Sequence, residues 1–238
     1  MSPAVFLKRY TDPARGVAAQ SHLRWLHQLD SGVRLPHLYP STATHLLLEQ
    51  LDGHPPEPAD LPDLAAALGL LHGSAYAREL HAAHLDRPFD TTGGITIPDF
   101  CTSRRHVLSQ LRLTCAHLPA ATYKDANVRN FILTTSGPAL VDFDDLTLAP
   151  FGYDLAKLVV STAMTYGLLS GPQIEQTRAA YTHSVETAGG PADSCTPAQL
   201  ADYAEVHHRL TARYLHRNGY QHSWPTVRPW TTPVPHPR

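Results

Sequence analysis

A predicted β-hairpin at residues 131–143, FILTTSGPALVDF, restricts the fold more than any other feature of this sequence. Two short apolar runs flank a Ser-Gly-Pro sequence, which is typical of two antiparallel strands joined by a turn. Asp125 lies five residues before Asn130, Asn130 opens the first strand, and Asp142 closes the second. Because the turn brings the outer ends of the strands together, we expect these three oxygen-bearing side chains to converge there.

The regions on either side of the hairpin separate strand patterns from helix patterns. Short apolar runs predict strands, and apolar residues at helical spacing predict helices, with Asp60 as the cap of the second helix. This segregation predicts an α+β fold. The predicted strands are 4–10 and 44–53, and the predicted helices are 18–29, 60–84, 97–118, a helix from Tyr153 onward, 173–188 and 197–218. Residues 223–238 contain five prolines and predict neither a helix nor a central strand.

The composition excludes several classes of function. With 19 basic and 21 acidic residues, the chain has no charge excess that would favour nucleic acid or an anionic membrane as the partner. The sequence has no run of about 20 apolar residues, as a membrane helix requires, and its first residues lack the pattern of a signal peptide. We therefore expect a cytoplasmic protein. Its three cysteines are not arranged as a disulfide framework or a zinc site.

The side chains around the hairpin have the chemistry that phosphoryl transfer requires. Mg²⁺ takes few protein oxygens and fills the rest of its shell with water and substrate phosphate, a role that suits Asn130 and Asp142. Phosphoryl transfer also needs one base to receive the hydroxyl proton and one lysine on the phosphate oxygens. Asp125 is placed to be the base, and Lys8, inside a predicted strand, is placed to be the lysine. Mg²⁺ is the cofactor expected on this basis.

The scarcity of lysine supports this interpretation. The chain has sixteen arginines but only three lysines, Lys8, Lys124 and Lys157. A lysine ammonium is a compact point charge, whereas an arginine guanidinium is a planar fork. We expect Lys8 and Lys124, beside Asp125, to be sites where a compact charge matters.

With these motifs in this order, the chain resembles the aminoglycoside phosphotransferase and choline kinase-like family, a branch of the protein-kinase fold. YKDANVRN (123–130) resembles the catalytic loop, which usually has His-Gly-Asp followed five residues later by Asn. ALVDFDDL (139–146) resembles the metal-binding Asp motif, and YDLAKLV (153–159) the helix that follows it. THLLLEQLDG (44–53) is similar to the hinge strand. The resemblance covers roughly residues 4–170.

The resemblance implies ATP as the phosphoryl donor, a kinase-like architecture and further site residues. It implies a small reduced N-terminal lobe of strands and a helix, and a larger, mainly helical C-terminal lobe. Asp154 would brace the catalytic loop, and backbone groups around Glu49 and Leu51 would hold the adenine. The predicted domains are 1–53 (N-terminal lobe and hinge strand), 54–222 (helical lobe with catalytic loop and hairpin) and 223–238 (Pro-rich tail).

The sequence also departs from the family pattern. Only seven residues precede Lys8, so the two strands and Gly-rich loop that usually cover the phosphates are missing. Gln20 stands about where the family has a Glu that pairs with its lysine, and Tyr123 and Lys124 replace His and Gly. We expect Lys124 to bind the transferring phosphate or to replace part of the cover.

Three explanations of the reduced lobe remain open. The missing strands could be encoded upstream of an assigned start, a partner protein could cover the nucleotide, or the chain could be a pseudokinase-like binding subunit. The complete set of Asp125, Asn130 and Asp142 favours catalysis, since a pure scaffold has no chemical need for it.

The acceptor class is predicted from charge. After Asp154 the chain has five acidic residues and seven Lys or Arg, whereas a site for a polycation should be rich in carboxylates. We therefore expect a neutral or anionic hydroxyl compound rather than an aminoglycoside. A Ser or Thr of a peptide is the alternative acceptor, as in the biosynthesis of natural products or modified peptides.

Overall fold

The computed structural model describes residues 4–217 and 219–230, and its helices and small antiparallel sheets form the predicted α+β fold. A small N-terminal region precedes a larger region in which helices surround two-stranded sheets. The strands are β1 (Val5–Arg9), β2 (His45–Glu49), β3 (Phe89–Asp90), β4 (Thr96–Ile97), β5 (Ala120–Tyr123), β6 (Phe131–Thr134), β7 (Gly137–Leu140) and β8 (Thr147–Pro150). The helices are α1 (Pro13–Gln28), α2 (Leu61–Arg78), α3 (Cys101–Gln110), α4 (Tyr153–Tyr166), α5 (Gly171–Thr187), α6 (Pro197–Thr211) and α7 (Trp224–Val227).

The N-terminal region consists of β1, α1 and β2. The two strands pair antiparallel, with Lys8 opposite Leu46. The helix α1 begins earlier than the predicted residue 18, because the Asp12 carboxylate accepts a hydrogen bond from Ala14 N at 2.9 Å. Pro13 then occupies the first turn, where its fixed φ is already helical. This arrangement places Lys8 in the middle of a strand that lies beside α1.

Two loops run between the strand pair β5–β8 and the strand pair β6–β7. Tyr123 at the end of β5 lies opposite Thr147 at the start of β8. Phe131 at the start of β6 lies opposite Leu140 at the end of β7, as the predicted hairpin requires. Residues 124–130 and residues 141–146 therefore both run from one strand pair to the other. The two loops must lie side by side, and they carry the predicted site residues.

The helix α4 lies in the centre of the larger region. Twelve of its 14 residues are buried, as expected for a helix that is surrounded by other elements rather than lying on the surface. Asp154 and Lys157 are among the buried residues. A buried charge is costly unless it is paired or hydrogen-bonded, so both side chains must have specific partners.

The helices α2 and α5 approach each other closely at two glycines. A Cβ atom added at Gly69 would lie 2.5 Å from Tyr181 O, and one at Gly73 would lie 2.5 Å from Val185 O. The close contact fixes Tyr181, whose hydroxyl accepts a hydrogen bond from Gly152 N at 3.1 Å. The pair of helices thereby holds the residue at which α4 begins.

Besides α1, other predicted helices differ from the observed ones, and two of the differences have a clear cause. Asp60 does not cap α2 with its side chain, because its carboxylate instead accepts a hydrogen bond from Glu57 N at 2.7 Å in a short 3₁₀ turn. The predicted helix at 97–118 is confined to α3, since Thr96–Ile97 pairs with Phe89–Asp90 as a strand. The residues that follow α3 form turns.

The prediction that residues 223–238 contain no helix is wrong for the part that the structure describes. Trp224–Val227 forms one helical turn, with Pro225 in its first positions, where the missing N–H of proline costs nothing. Trp224 is buried and donates a hydrogen bond from Nε1 to Glu205 at 3.0 Å. Residues 231–238 lie outside the described residues. Among the described helices, none has the length and apolar character needed to cross a lipid bilayer.

Candidate active site

Asp154, at the start of α4, holds the loop 124–130 through hydrogen bonds to its backbone. The buried carboxylate accepts hydrogen bonds from Lys124 N at 3.1 Å and from Ala126 N at 2.6 Å. These two N–H groups flank Asp125, which has a φ of 63°, a left-handed conformation that is uncommon for a residue with a side chain. The bracing contact predicted for Asp154 is therefore confirmed, and it maintains an unusual backbone conformation at the predicted base.

The Asp125 side chain is 42% exposed and is held through one of its oxygens. Tyr123 donates its hydroxyl to Asp125 Oδ1 at 3.0 Å, and Lys157 Nζ lies 3.1 Å from the same oxygen. The other oxygen, Oδ2, accepts no hydrogen bond from any residue that the structure describes. Asp125 thus presents one accessible carboxylate oxygen in a fixed orientation, which is what a base requires.

Asn130 connects the two loops. Its Nδ2 donates to Asp125 O at 2.9 Å, and its backbone oxygen accepts from Val141 N at 2.9 Å. With Nδ2 engaged, the amide oxygen is the free end of the side chain, and it accepts no hydrogen bond within the described residues. Asn130 therefore offers an amide oxygen where one loop meets the other.

Asp142 lies on the second loop and contacts Lys8 of the N-terminal region. The distance from Lys8 Nζ to Asp142 Oδ1 is 2.6 Å, and to Asp144 Oδ1 it is 2.5 Å. Burial lowers the pKa of Lys8, but the hydrogen bonds to the two carboxylates outweigh this effect and raise it. Lys8 is therefore a firmly charged ammonium between two aspartates.

Asp144 is a site residue that the sequence analysis missed. Tyr10 donates its hydroxyl to Asp144 Oδ1 at 2.6 Å, and Arg15 lies 3.7 Å from Oδ2. Burial acts to raise the pKa of Asp144, whereas the hydrogen bonds from Lys8 and Tyr10 lower it and prevail. The signal in the sequence was its position two residues after Asp142, inside the motif ALVDFDDL.

Gln20 does not contact Lys8. Its Nε2 donates to Thr42 O at 2.7 Å, and its Oε1 accepts from Arg24 at 3.3 Å. Gln20, where the family usually has a Glu, therefore binds the backbone of the segment that precedes β2. Lys8 takes its carboxylate partners from the second loop instead.

A cleft of about 380 Å³ lies between the N-terminal strands and the hairpin. Its walls are mostly apolar, with a few polar groups at one end, as in many small-molecule sites. The polar end holds Lys8, Asp142 and Asp144. The remaining lining residues are Phe6, Tyr10, Ala19, Leu23, Pro36, Leu46, Leu48, Glu49, Gln50, Leu51, Ile132, Val141 and Phe143.

Glu49 and Leu51, the predicted adenine-binding positions, both line this cleft, but they differ in availability. Glu49 N donates to His37 O at 2.8 Å, and the Glu49 carboxylate pairs with Arg34. The backbone of Leu51 makes no hydrogen bond to any described residue. The N–H of Glu49 is therefore occupied, whereas the backbone N–H and C=O of Leu51 are unpaired among the described residues.

Lys124 is not among the residues that line the cleft, although we predicted that it contacts the transferring phosphate. Its side chain is buried, Nζ donates to Val141 O at 3.1 Å, and the ammonium faces the rings of Phe131 and Phe143. Burial lowers its pKa. The backbone turns sharply at Asp125, so the side chains of these two adjacent residues are on opposite sides of the loop, one buried and one exposed.

The Mg²⁺ ligands predicted from the sequence fit a hard cation in their chemistry. Asp142 offers a carboxylate in the cleft, and Asn130 offers an amide oxygen on the adjoining loop. Within the described residues there is no group of three or more His, Cys, Asp or Glu that could hold a metal ion. Two protein oxygens suit Mg²⁺, which keeps water and phosphate in the rest of its shell.

Comparisons with known proteins identify the family of this chain. Residues 4–192 match the family model described as phosphotransferase enzyme family. No curated protein sequence matches the chain significantly.

Many solved structures share the fold, and three of them serve as examples. Choline kinase LicA from Streptococcus pneumoniae is 17% identical, with a TM-score of 0.58 over 87% of this chain and 75% of that chain. Macrolide 2'-phosphotransferase MphH from Brachybacterium faecium is 14% identical, with a TM-score of 0.58 over 89% and 77%. A choline/ethanolamine kinase family protein from Mesorhizobium loti is 21% identical, with a TM-score of 0.55 over 87% and 71%. The chain therefore belongs to the phosphotransferase enzyme family, and it has the protein-kinase-like α+β fold that its motifs predicted.

Proposed function

We propose that this protein transfers the γ-phosphoryl group of ATP, with Mg²⁺, to a hydroxyl group of a small molecule. The observation that carries the proposal is the direct connection between the two loops through Asn130. Its side chain binds the backbone of Asp125, and its backbone oxygen binds Val141 N, next to Asp142. The proposed base and the two proposed Mg²⁺ ligands therefore lie on loops that are directly hydrogen-bonded to each other.

In this mechanism Asp125 receives the proton of the acceptor hydroxyl. The oxygen that loses the proton forms the new bond to phosphorus, and the bond from phosphorus to the bridging oxygen of ADP breaks. Catalysis of this kind depends mainly on positioning and on stabilising charge. The free Oδ2 of Asp125 is the oxygen available for the proton, since Tyr123 and Lys157 occupy Oδ1.

The nucleotide would occupy the cleft between the strands and the hairpin. Asn130 and Asp142 would hold Mg²⁺, which neutralises the phosphate charge, and Lys8 would bind the phosphate oxygens. The apolar walls suit an adenine ring, and the unpaired backbone of Leu51 suits its hydrogen-bonding edge. Because Lys8 now pairs with Asp142 and Asp144, phosphate must compete with at least one carboxylate for this ammonium.

The acceptor is proposed to be a neutral or anionic hydroxyl compound. The excess of Lys and Arg over Asp and Glu after Asp154 disfavours a polycation. Among the structural neighbours, choline kinase and macrolide 2'-phosphotransferase are named for small-molecule substrates. A Ser or Thr of a peptide remains the alternative acceptor within the same reaction class.

Calorimetric titration of ATP with Mg²⁺ tests the nucleotide site, and ADP release in the presence of candidate acceptors tests the reaction. We expect metal-dependent binding that Asp142→Asn abolishes. We expect Asp125→Asn to keep that binding and to lose turnover, since its side chain has the same size but cannot take the proton. Equal turnover in wild type and Asp125→Asn would refute the proposed role of Asp125.

A second candidate, a nucleotide site completed by another polypeptide, is favoured by the surface of β1. The side chains of Val5, Phe6 and Leu7 are 47%, 49% and 41% exposed. Since successive residues of a strand face opposite sides, apolar groups are uncovered on both faces of β1. Among the described residues β1 pairs only with β2, and a free edge of this kind can accept an added strand. Failure of the isolated chain to bind ATP would favour this candidate.

A further inference from the structure

Lys157 is a buried charged residue that contacts the proposed base. It projects from the buried helix α4, and its side chain is only 7% exposed. An ammonium in this environment needs partners to offset its desolvation. Its partners are Asp125 Oδ1 at 3.1 Å and the hydroxyl of Tyr220. Burial acts to lower the pKa of Lys157, but these two partners outweigh it and raise the pKa.

Tyr220 comes from the segment after α6 and is buried against the catalytic loop. Its hydroxyl accepts a hydrogen bond from Asn127 Nδ2 at 2.8 Å. The segment is attached to the end of α4, because Gln221 N and His222 N donate to Met164 O at 2.8 and 2.9 Å. A phenol oxygen has two lone pairs, so Tyr220 can accept from Asn127 and Lys157 together.

We propose that Lys157, supported by Tyr220, is a positioning residue that orients the Asp125 carboxylate for proton transfer. Lys157 occupies Oδ1 together with Tyr123, so Oδ2 is the oxygen left for the acceptor hydroxyl. The inference rests on the proposed phosphotransfer reaction for its functional meaning. It gives the segment that contains Tyr220 a role in the active site. This segment lies outside residues 4–192, which the family model matches.

The contact itself can be measured without any substrate. Because the chain has three lysines, protein labelled with ¹³C at lysine Cε gives three signals, which single Lys→Arg variants assign. We expect Asp125→Asn to lower the pKa of Lys157 by removing its negative partner, and Tyr220→Phe to lower it by a smaller amount. Asp142→Asn is the matched control, since it should change the titration of Lys8 and leave that of Lys157 unchanged. If Asp125→Asn left the pKa of Lys157 unchanged, the proposal would be overturned.

Kinetics then separate positioning from a purely structural role. Misplacing a catalytic group costs about 10²-fold in rate, so we expect Lys157→Met to lower kcat by about that factor. The KM for ATP should stay the same, because Lys157 does not line the nucleotide cleft. Lys157→Arg should recover part of the lost kcat by restoring the cation, and Tyr220→Phe should lower kcat by a smaller factor. Wild-type kcat in Lys157→Met would overturn the proposal.

Two other outcomes are possible, and each has its own deciding measurement. If Lys157→Met does not fold, Tyr220→Phe decides, because it removes only one buried oxygen, and unchanged kcat in that variant would overturn the role of Tyr220. If the wild type phosphorylates no acceptor, the proposed function fails, and the lysine titration alone decides whether Lys157 holds Asp125. The two failures are therefore distinguishable.

Discussion

The buried carboxylate of Asp154 allows a prediction whose magnitude follows from the structure. Burial raises its pKa from the ordinary 3.8 to about 6, although Lys124 and two backbone N–H groups favour the charged form. His72 Nε2 lies 3.9 Å from Oδ2 but supplies no charge near neutral pH, because burial lowers its pKa to about 3. An acid whose pKa is raised by folding binds its proton more tightly in the folded state. Its contribution to stability is therefore complete below pH 3.8 and is lost as the pH rises through about 6.

Asp154→Asn removes this titration. A pKa rise from 3.8 to about 6 corresponds to about 3 kcal/mol. The stability of wild type relative to the variant should therefore fall by about 3 kcal/mol between about pH 4 and pH 7. At pH 7 the variant avoids burying a charge, but the amide presents one oxygen to two donors, Lys124 N and Ala126 N. Leaving one buried N–H without an acceptor costs about 1–3 kcal/mol, so the two effects nearly cancel and the stabilities at pH 7 should be similar.

Urea unfolding, followed by tryptophan fluorescence across this pH range, measures the difference. Asp63→Asn, at an exposed position of α2, is the control and should show no comparable trend. At pH 7 we expect kcat of Asp154→Asn to be about 10²-fold lower despite similar stability, because the backbone on one side of Asp125 loses its acceptor. A stability difference that does not change with pH would refute the reasoning from burial. Unchanged kcat would refute the bracing role.

Three further substitutions test individual contacts of the site. Lys124→Met keeps an unbranched side chain and leaves Val141 O without its donor. We expect a stability loss of at least about 1 kcal/mol in thermal unfolding and unchanged ATP affinity. Weaker ATP binding would support the phosphate contact first predicted for Lys124. Lys8→Met should weaken ATP binding at least about tenfold in calorimetry, since a charged contact to phosphate is lost, and equal affinity would exclude a phosphate role. Gln20→Glu should lower stability by about 1 kcal/mol, because the hydrogen bond to Thr42 O is lost. It should leave ATP affinity unchanged. Tighter ATP binding would show that the new carboxylate reaches Lys8.

The adjacency of the two site loops could be predicted because it follows from local rules. A hairpin with Asn130 at one end and Asp142 at the other must bring these residues near each other. Asp125 is only five residues from Asn130, which is too short a distance for it to leave the neighbourhood. Hydrogen bonds from Asn130 to Asp125 and from Val141 to Asn130 connect the loops as this argument requires.

The supporting residues could not be predicted, because their contacts depend on the assembled fold. Tyr220 and Asn127 are 93 positions apart in the sequence, and no spacing or periodicity indicates their contact. Lys157 appeared only as one of three lysines, and its partner is fixed by the packing of α4 against the loop. Asp144 depends in the same way on the approach of β1, which brings Lys8 and Tyr10 to it.

Lys124 shows why position in the sequence did not predict position in the site. It is adjacent to Asp125, and adjacency suggested a shared role at the transferred phosphate. The backbone of Asp125 adopts a left-handed conformation, and the N–H groups on both sides of it are bound by Asp154. This turn exposes the Asp125 carboxylate and buries the Lys124 side chain, so the side chains of two neighbouring residues lie in different environments.

One face of α4 controls both the backbone and the side chain of the proposed base. Asp154 and Lys157 are three residues apart, which places them on the same helical face. Asp154 binds the two N–H groups that flank Asp125, and Lys157 binds its carboxylate. The position of α4 is in turn held at its start by the hydroxyl of Tyr181, which the close contact of α2 and α5 fixes. The orientation of the base therefore depends on packing between helices that do not touch the nucleotide cleft.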